Sequence, residues 1–179
     1  MKPASTRAQA AIARLKLDAI DLKILGALQR EGRITKIKLA QEVGLSISPC
    51  LERMRRLERA GFVRGYRAEL DLAKLLSAST IYVEVTLKGH TAADFDRFER
   101  AIAAAAEVVE CDAIGGGIDY LMKVVATDID HYQQIIERLL NADIGIAKYF
   151  TYIVTKKIKR APYPLRELLD KAKRPPVEP

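Results

Sequence analysis

The sequence predicts an α+β chain, with a small helical unit first and a strand–helix sandwich second. Three observations predict it. Residues 17–61 carry apolar positions at helical spacing, interrupted by glycines. From Thr80 the period switches to two, and strand and helix patterns then alternate to Thr155. The charge divides the chain in the same way. Residues 1–67 hold fifteen Lys/Arg against six Asp/Glu, or +9; residues 68–155 hold seven against fourteen, or −7; residues 156–179 hold eight against three, or +5. A basic segment of this kind attracts phosphate backbones in a salt-sensitive way. The alternative is that the charges only solvate helices.

The elements follow in order. Residues 1–16, rich in Ala, Lys and Arg, form an N-terminal arm. Asp18 is placed to cap a first helix, with Asp21 three residues on in a capping-box position. Ile20, Ile24, Leu25 and Leu28 make its apolar stripe, and Gly32 stops it. Thr35 caps a second helix that carries Ile37, Leu39, Ala40 and Val43 and ends at Gly44. Ser46 or Ser48 caps a third, with Pro49 in its first turn, where a missing N–H costs nothing. Gly61 ends it. Two helices joined by a short Gly44-Leu45 turn are what a helix-turn-helix needs, and its second helix enters the DNA major groove. The alternation from Phe62 to Leu70 predicts a strand or hairpin, which would add a wing.

At ~100° per residue, Cys50, Leu51, Met54 and Leu57 fall in one sector of the third helix. Ser48, Pro49, Glu52, Arg56 and Arg59 fall opposite, flanked by Arg53 and Arg55. The first set would pack on the other helices. The second, with Ser46, would face DNA, and Lys36, Arg64 and Arg67 would hold flanking phosphates. The competing reading is that Glu52, Arg55, Arg56 and Glu58 pair along the helix in solvent. Cys50 lies on the apolar side and reads as a core residue rather than a redox sensor.

Residues 68–79 read as a linker without Pro/Gly enrichment. Thr80 to Leu87, Val108 to Ile114, Tyr120 to Ala126 and Ile146 to Thr155 read as strands. Phe95, Phe98 and Ile102 mark one intervening helix; Ile129, Tyr132, Ile136 and Leu139 mark the other. Two strand–helix–strand units in tandem predict a ferredoxin-like βαββαβ sandwich with both helices on one sheet face. The opposite face carries Tyr82, Glu84 and Thr86, too apolar to stay wholly wet, so it suggests dimerisation. Gly115-Gly116-Gly117, followed by Asp119, leaves backbone N–H groups open to a carboxylate and an acid able to accept from an amine, the two ends of an amino acid. A plain glycine-rich hairpin turn explains the same residues. Residues 157–179 form a basic tail with a short helical patch at Leu165, Leu168 and Leu169.

Composition narrows the function. Of 179 residues, 49% are hydrophobic and 30% charged, ordinary for a soluble globular chain. No apolar run approaches the ~20 residues of a membrane span. Met1-Lys2-Pro3-Ala4-Ser5 lacks a secretory core. The two cysteines, Cys50 and Cys111, have no ligand-spaced partners, so no metal and a reducing, cytoplasmic setting are expected. His90 and His131 sit at helix starts without a motif partner. No nucleophile elbow or phosphate loop occurs, so neither an enzyme nor a cofactor is expected.

In register, Leu17-Asp18 with Asp21, Gly32-Arg33-Ile34, Val43-Gly44-Leu45-Ser46, Pro49-Cys50-Leu51-Glu52-Arg53, Gly61-Phe62-Val63-Arg64-Gly65-Tyr66, Glu110-Cys111 and Asp119-Tyr120-Leu121 resemble the Lrp/AsnC (leucine-responsive regulatory protein / asparagine regulator) family. The resemblance runs from about Leu17 to Lys157. It implies a winged helix-turn-helix over residues 17–67 and an effector-binding, dimerising RAM domain over residues 80–156. It implies dimers that assemble further, with octamers expected, and an effector that is an amino acid or a relative. By position it carries Gly115, Gly116, Gly117, Asp119 and Tyr120 to the ligand pocket. Ile129, Tyr152, Ile153 and Val154 fall at effector-response positions. The expected partners are double-stranded DNA, that effector and further copies of the chain. The expected function is sequence-specific regulation of amino-acid or related metabolism. A nucleoid-like DNA organiser and a stand-alone amino-acid-binding module are the alternatives.

Overall fold

The computed structural model describes residues 17–172. The N-terminal arm, residues 1–16, and the last residues of the basic tail, 173–179, lie outside them. The described chain divides into two compact units, residues 17–69 with 160–172, and residues 70–159.

The first unit holds α1 (Ala19–Arg30), α2 (Lys36–Val43) and α3 (Ile47–Arg59). Asp18 caps α1 in a full capping box: its carboxylate accepts from Ile20 and Asp21 N–H, and Asp21 accepts from Asp18 N–H. Thr35 caps α2 through Lys38 N–H. Gly44 closes α2 at φ 76°, and Gly61 follows α3 at φ 79°. Both are left-handed positions that suit glycine. Ser46 is the N-cap of α3, without a side-chain cap bond. The core comprises Ile24, Ala27, Leu28, Leu39, Ala40, Val43, Cys50 and Leu57, with Leu45, Met54, Phe62 and Val63 packed against it. Cys50 is a core residue, and burial pushes its thiol up.

Three details of this unit differ from the sequence-based expectation. Residues 62–70 form no strand, so the hairpin of a wing is not present. Their alternation instead reflects packing: Phe62 and Val63 rest on the helical core, and Tyr66 lines an apolar cavity and donates to Glu58 at 2.8 Å. Ile37, expected in the α2 stripe, is 59% exposed. Leu51, expected on the packed face of α3, is half-buried but does not pack on the core.

The basic tail returns to this unit. Helix α6 (Leu165–Ala172) lies beside α1. Leu165, Leu168 and Leu169 line one cavity with Leu22 and Leu25 of α1 and with Phe62 and Tyr66. The Gln29 amide, oriented by its partners, donates to the Tyr163 carbonyl at 3.1 Å and accepts its N–H at 2.9 Å. The helical patch in the tail is therefore a fourth helix covering apolar surface that three short helices leave open.

The second unit is a four-stranded antiparallel sheet in the order β2-β3-β1-β4, built from β1 (Ser79–Leu87), β2 (Val108–Ala113), β3 (Tyr120–Ala126) and β4 (Ile146–Ile153). A 3-10 turn (Leu72–Lys74) precedes β1. Helices α4 (Ala92–Ala104) and α5 (Ile129–Asn141) cover one face, the ferredoxin-like arrangement expected. Val83, Val85, Met122 and Val124 from the sheet meet Phe98, Ile102, Ile135 and Leu139 from the helices. Strands β2 and β4 are one and two residues shorter than expected, ending at Ala113 and Ile153. Ile129, expected in the α5 stripe, is the first residue of that helix and is 69% exposed.

Candidate DNA and effector interfaces

Helix α3 has three sides. Cys50 and Leu57 face the core. A second side is held by a buried acid. Asp21, 0% exposed, sits in the first turn of α1. Its two oxygens accept from Arg53 Nη1 at 2.9 Å and Arg56 Nη2 at 2.6 Å, and Arg53 also reaches Asp18 at 2.5 Å. A carboxylate out of water is tolerable only when paired and hydrogen-bonded, and here two guanidinium groups and one backbone N–H satisfy it. Among the described residues Arg56 Nε is buried without a partner, while the side chain as a whole keeps 40% of its surface exposed beside its bond to Asp21. Hydrogen bonds from Asp21 N–H and then from Arg53 hold the Asp18 carboxyl below its ordinary range.

The third side is open. Ser48, Leu51, Glu52, Arg55 and Arg59 line one shallow concave surface. Among the described residues Glu52, Arg55 and Arg59 make no ion pair, and Arg59 Nε donates only to the Arg55 carbonyl at 3.3 Å. Pairing of Glu52, Arg55, Arg56 and Glu58 along the helix does not occur among those residues. Ser46 and Pro49 are exposed at the start of this surface, and Lys36, Arg64 and Arg67 are exposed elsewhere on the unit. Of the eleven DNA-facing residues expected, the structure thus gathers Ser48, Glu52, Arg55 and Arg59 on one surface and turns Arg53 and Arg56 onto α1.

In the second unit the glycine loop spans the end of β2 to the start of β3. Ile114 N–H donates to the Asp119 carbonyl at 2.8 Å, and Asp119 N–H donates to the Val85 carbonyl at 2.9 Å. Gly115, Gly116 and Gly117 are exposed and lie outside the left-handed region. A Cβ at any of them would meet nothing within 4 Å. Among the described residues, neither space for a Cβ nor φ therefore demands glycine at these three positions. Asp119 Oδ2 accepts from Leu87 N–H at 2.8 Å, and Oδ1 lies 3.0 Å from His90 Nε2. His90 stacks edge-on to Phe95. Its place beside Asp119 escaped the sequence reading, since 29 positions separate the two and no local pattern links them.

The remaining expected effector residues do not join this loop. Tyr120 is buried against Phe98 and donates to Glu99 at 2.8 Å, and burial raises its hydroxyl pKa. Ile129 and Ile153 line a groove of about 330 Å³ at the far end of β3, with Tyr132 and Tyr149. Tyr152 points to the helix-free sheet face, paired with Tyr82, and donates to Glu84 at 3.1 Å. Val154 N–H donates to the Thr80 carbonyl. Among the described residues no group of acids, cysteines and histidines is placed to hold a metal ion. No helix among them is long and apolar enough to cross a membrane.

A helix-turn-helix unit joined to a ferredoxin-like domain defines a class of two-part DNA-binding regulators. Comparison with known proteins agrees. Residues 17–64 match the family model for winged helix-turn-helix DNA-binding, and residues 80–164 match that for the Lrp/AsnC ligand binding domain. The chain belongs to the Lrp/AsnC family and is a DNA-binding transcriptional regulator of that type. It is 53% identical over 146 residues to the transcriptional regulatory protein DoeX of Halomonas elongata, covering 82% of this chain and 92% of that one. It is 39% identical over 145 residues to the leucine-responsive regulatory protein of Escherichia coli, covering 81% and 88%. A Neisseria meningitidis transcriptional regulator, solved as an L-Met complex, shares the fold with a TM-score of 0.80 at 32% identity, covering 86% and 99%.

Proposed function

We propose that this regulator reads double-stranded DNA with the open side of α3 and answers to an amino acid or a close derivative bound by its second unit. The observation that carries the first part is the division of α3. Arg53 and Arg56 pair with Asp21, while Ser48, Glu52, Arg55 and Arg59 line one concave surface and, among the described residues, the last three make no ion pair. Arg55 and Arg59 would contact guanine or phosphate, Ser48 and Glu52 base edges, and Ser46, Lys36, Arg64 and Arg67 the flanking backbone.

The effector part is supported by three exposed glycines at which a Cβ would meet nothing within 4 Å, beside a carboxylate held in place by Leu87 N–H. The loop would receive the ligand carboxylate and Asp119 its ammonium group. Ile129 and Ile153 would respond through contacts with a further copy of the chain. Tyr82, Phe150 and Tyr152, at 36, 47 and 50% exposure, give the helix-free sheet face an aromatic surface suited to dimerisation. Dimers would then associate, and the assembled regulator would work in the cytoplasm without enzymatic activity. Ligand and DNA affinities must be linked reciprocally.

The test is DNA binding by the full chain across a salt series, with and without each of the twenty amino acids. The account expects a salt-dependent affinity that at least one amino acid shifts, and Asp119→Ala should remove the shift while leaving basal binding. Salt-independent binding, or an effector response untouched by Asp119→Ala, would contradict it.

A further inference from the structure

Among the described residues, two apolar side chains of α3 stand outside the packed core. Ile47, the first residue of the helix, is 44% exposed. Leu51, one turn later, is half-buried but does not pack on the core. Their neighbours Leu45, Cys50, Met54 and Leu57 do that work. At i and i+4 the two lie on adjacent turns of one helix edge, and Leu51 borders the surface made by Ser48, Glu52, Arg55 and Arg59. An otherwise polar reading surface therefore has one apolar edge, at the helix end that lies nearest the bases in helix-turn-helix docking.

Only one group in the major groove is apolar. Thymine presents its 5-methyl there, while the other base edges present donors and acceptors. We infer that Ile47 and Leu51 read thymine methyl groups, so that each half-site carries one or two thymines at fixed positions selected by contact rather than by hydrogen bonding. The inference rests on the open side of α3 being the DNA interface. Burying one methyl against Ile47 changes affinity by about fourfold, on the usual scale for a CH₂ or CH₃ group. Loss of the methyl should therefore be visible one position at a time.

The experiment starts from duplexes that the full chain selects out of a random library. Each thymine of a selected site is then replaced singly by deoxyuridine, which removes only the methyl. Wild type should lose about fourfold in affinity at one or two positions per half-site. Ile47→Ala or Leu51→Ala should bind the thymine and uracil duplexes alike at one of these positions. Ile47→Val, which keeps a branched apolar tip, should retain a reduced penalty and serves if the alanine variant lowers the unfolding midpoint. Arg55→Ala should weaken both duplexes equally and leave their ratio unchanged. Selected sites without fixed thymines, an absence of any uracil penalty in wild type, or the same penalty in Ile47→Ala and Leu51→Ala would each overturn the inference. Wild-type affinity in Arg55→Ala would instead overturn the interface on which it rests.

Discussion

Arg53 and Arg55 stand two residues apart on the same basic helix, yet the fold uses them for different ends. Arg53, with Arg56, closes onto a fully buried Asp21 and ties α3 to α1. Arg55, with Arg59, lines a concave surface and makes no ion pair among the described residues. Basic charge on a reading helix is therefore not one resource. Half of it fixes the angle at which the helix is presented, and half is left to meet phosphate and base.

The comparison breaks most sharply at the buried acid. Asp21→Ala leaves Arg56 without its carboxylate partner and Arg53 with Asp18 alone, and should destabilise the first unit by about 1–3 kcal/mol, since both guanidinium groups keep access to water. Urea unfolding checks this, with the midpoint falling and the slope kept. Arg56→Ala should also lower stability, and DNA affinity only as far as the unit unfolds. On the other side, Arg55→Ala or Arg59→Ala should cost about 1–3 kcal/mol of DNA affinity if the contact is to a base. A phosphate contact would instead flatten the salt slope by about one unit, with stability unchanged.

Acid sharpens the same distinction. Hydrogen bonds to Asp21 N–H and to Arg53 depress Asp18. The Thr91 hydroxyl, the Arg138 guanidinium and the His131 N–H do the same for Asp94, Glu107 and Asp128. Depressed carboxyls contribute stability that is complete above their ordinary values near 4 and is lost as pH falls through the lower folded values. Thermal unfolding of both units should be flat from about pH 7 to 5 in this respect and fall below about pH 4, with Asp18→Asn removing part of the fall. The smallest effect is expected at Ile37: Ile37→Ala, at an exposed position, should change stability by no more than about 0.5 kcal/mol.

Local physics made much of this legible. Asp18, Thr35 and Gly44 announce their helix ends because caps act within four residues. The alternation at Ile81, Val83 and Val85 announces β1 because the side-chain period of a strand is two. What stayed hidden acts at a distance. Asp21 resembles an ordinary capping-box acid, and nothing near it in sequence says that it will be sealed by residues 32 and 35 positions later. Arg56 sits on the polar side of an ideal helical wheel, but its side chain is long enough to curl onto α1. The leucines at 165, 168 and 169 declare a helix without declaring that α1 is its partner. Phe62 to Leu70 alternates as a strand would, but its apolar members are used against helices. The spacing of the effector-response positions says nothing of their place either: Ile129 lies at the end of β3 opposite the glycine loop, and only the folded sheet separates the two.

The most direct measurement sets Arg55→Ala against Arg56→Ala in the full chain, with urea stability and DNA affinity measured in the same buffer. The account predicts that Arg55→Ala loses affinity at an unchanged unfolding midpoint and that Arg56→Ala lowers the midpoint. The reverse result, a stable Arg56→Ala that fails to bind DNA beside an Arg55→Ala that binds normally, would contradict it.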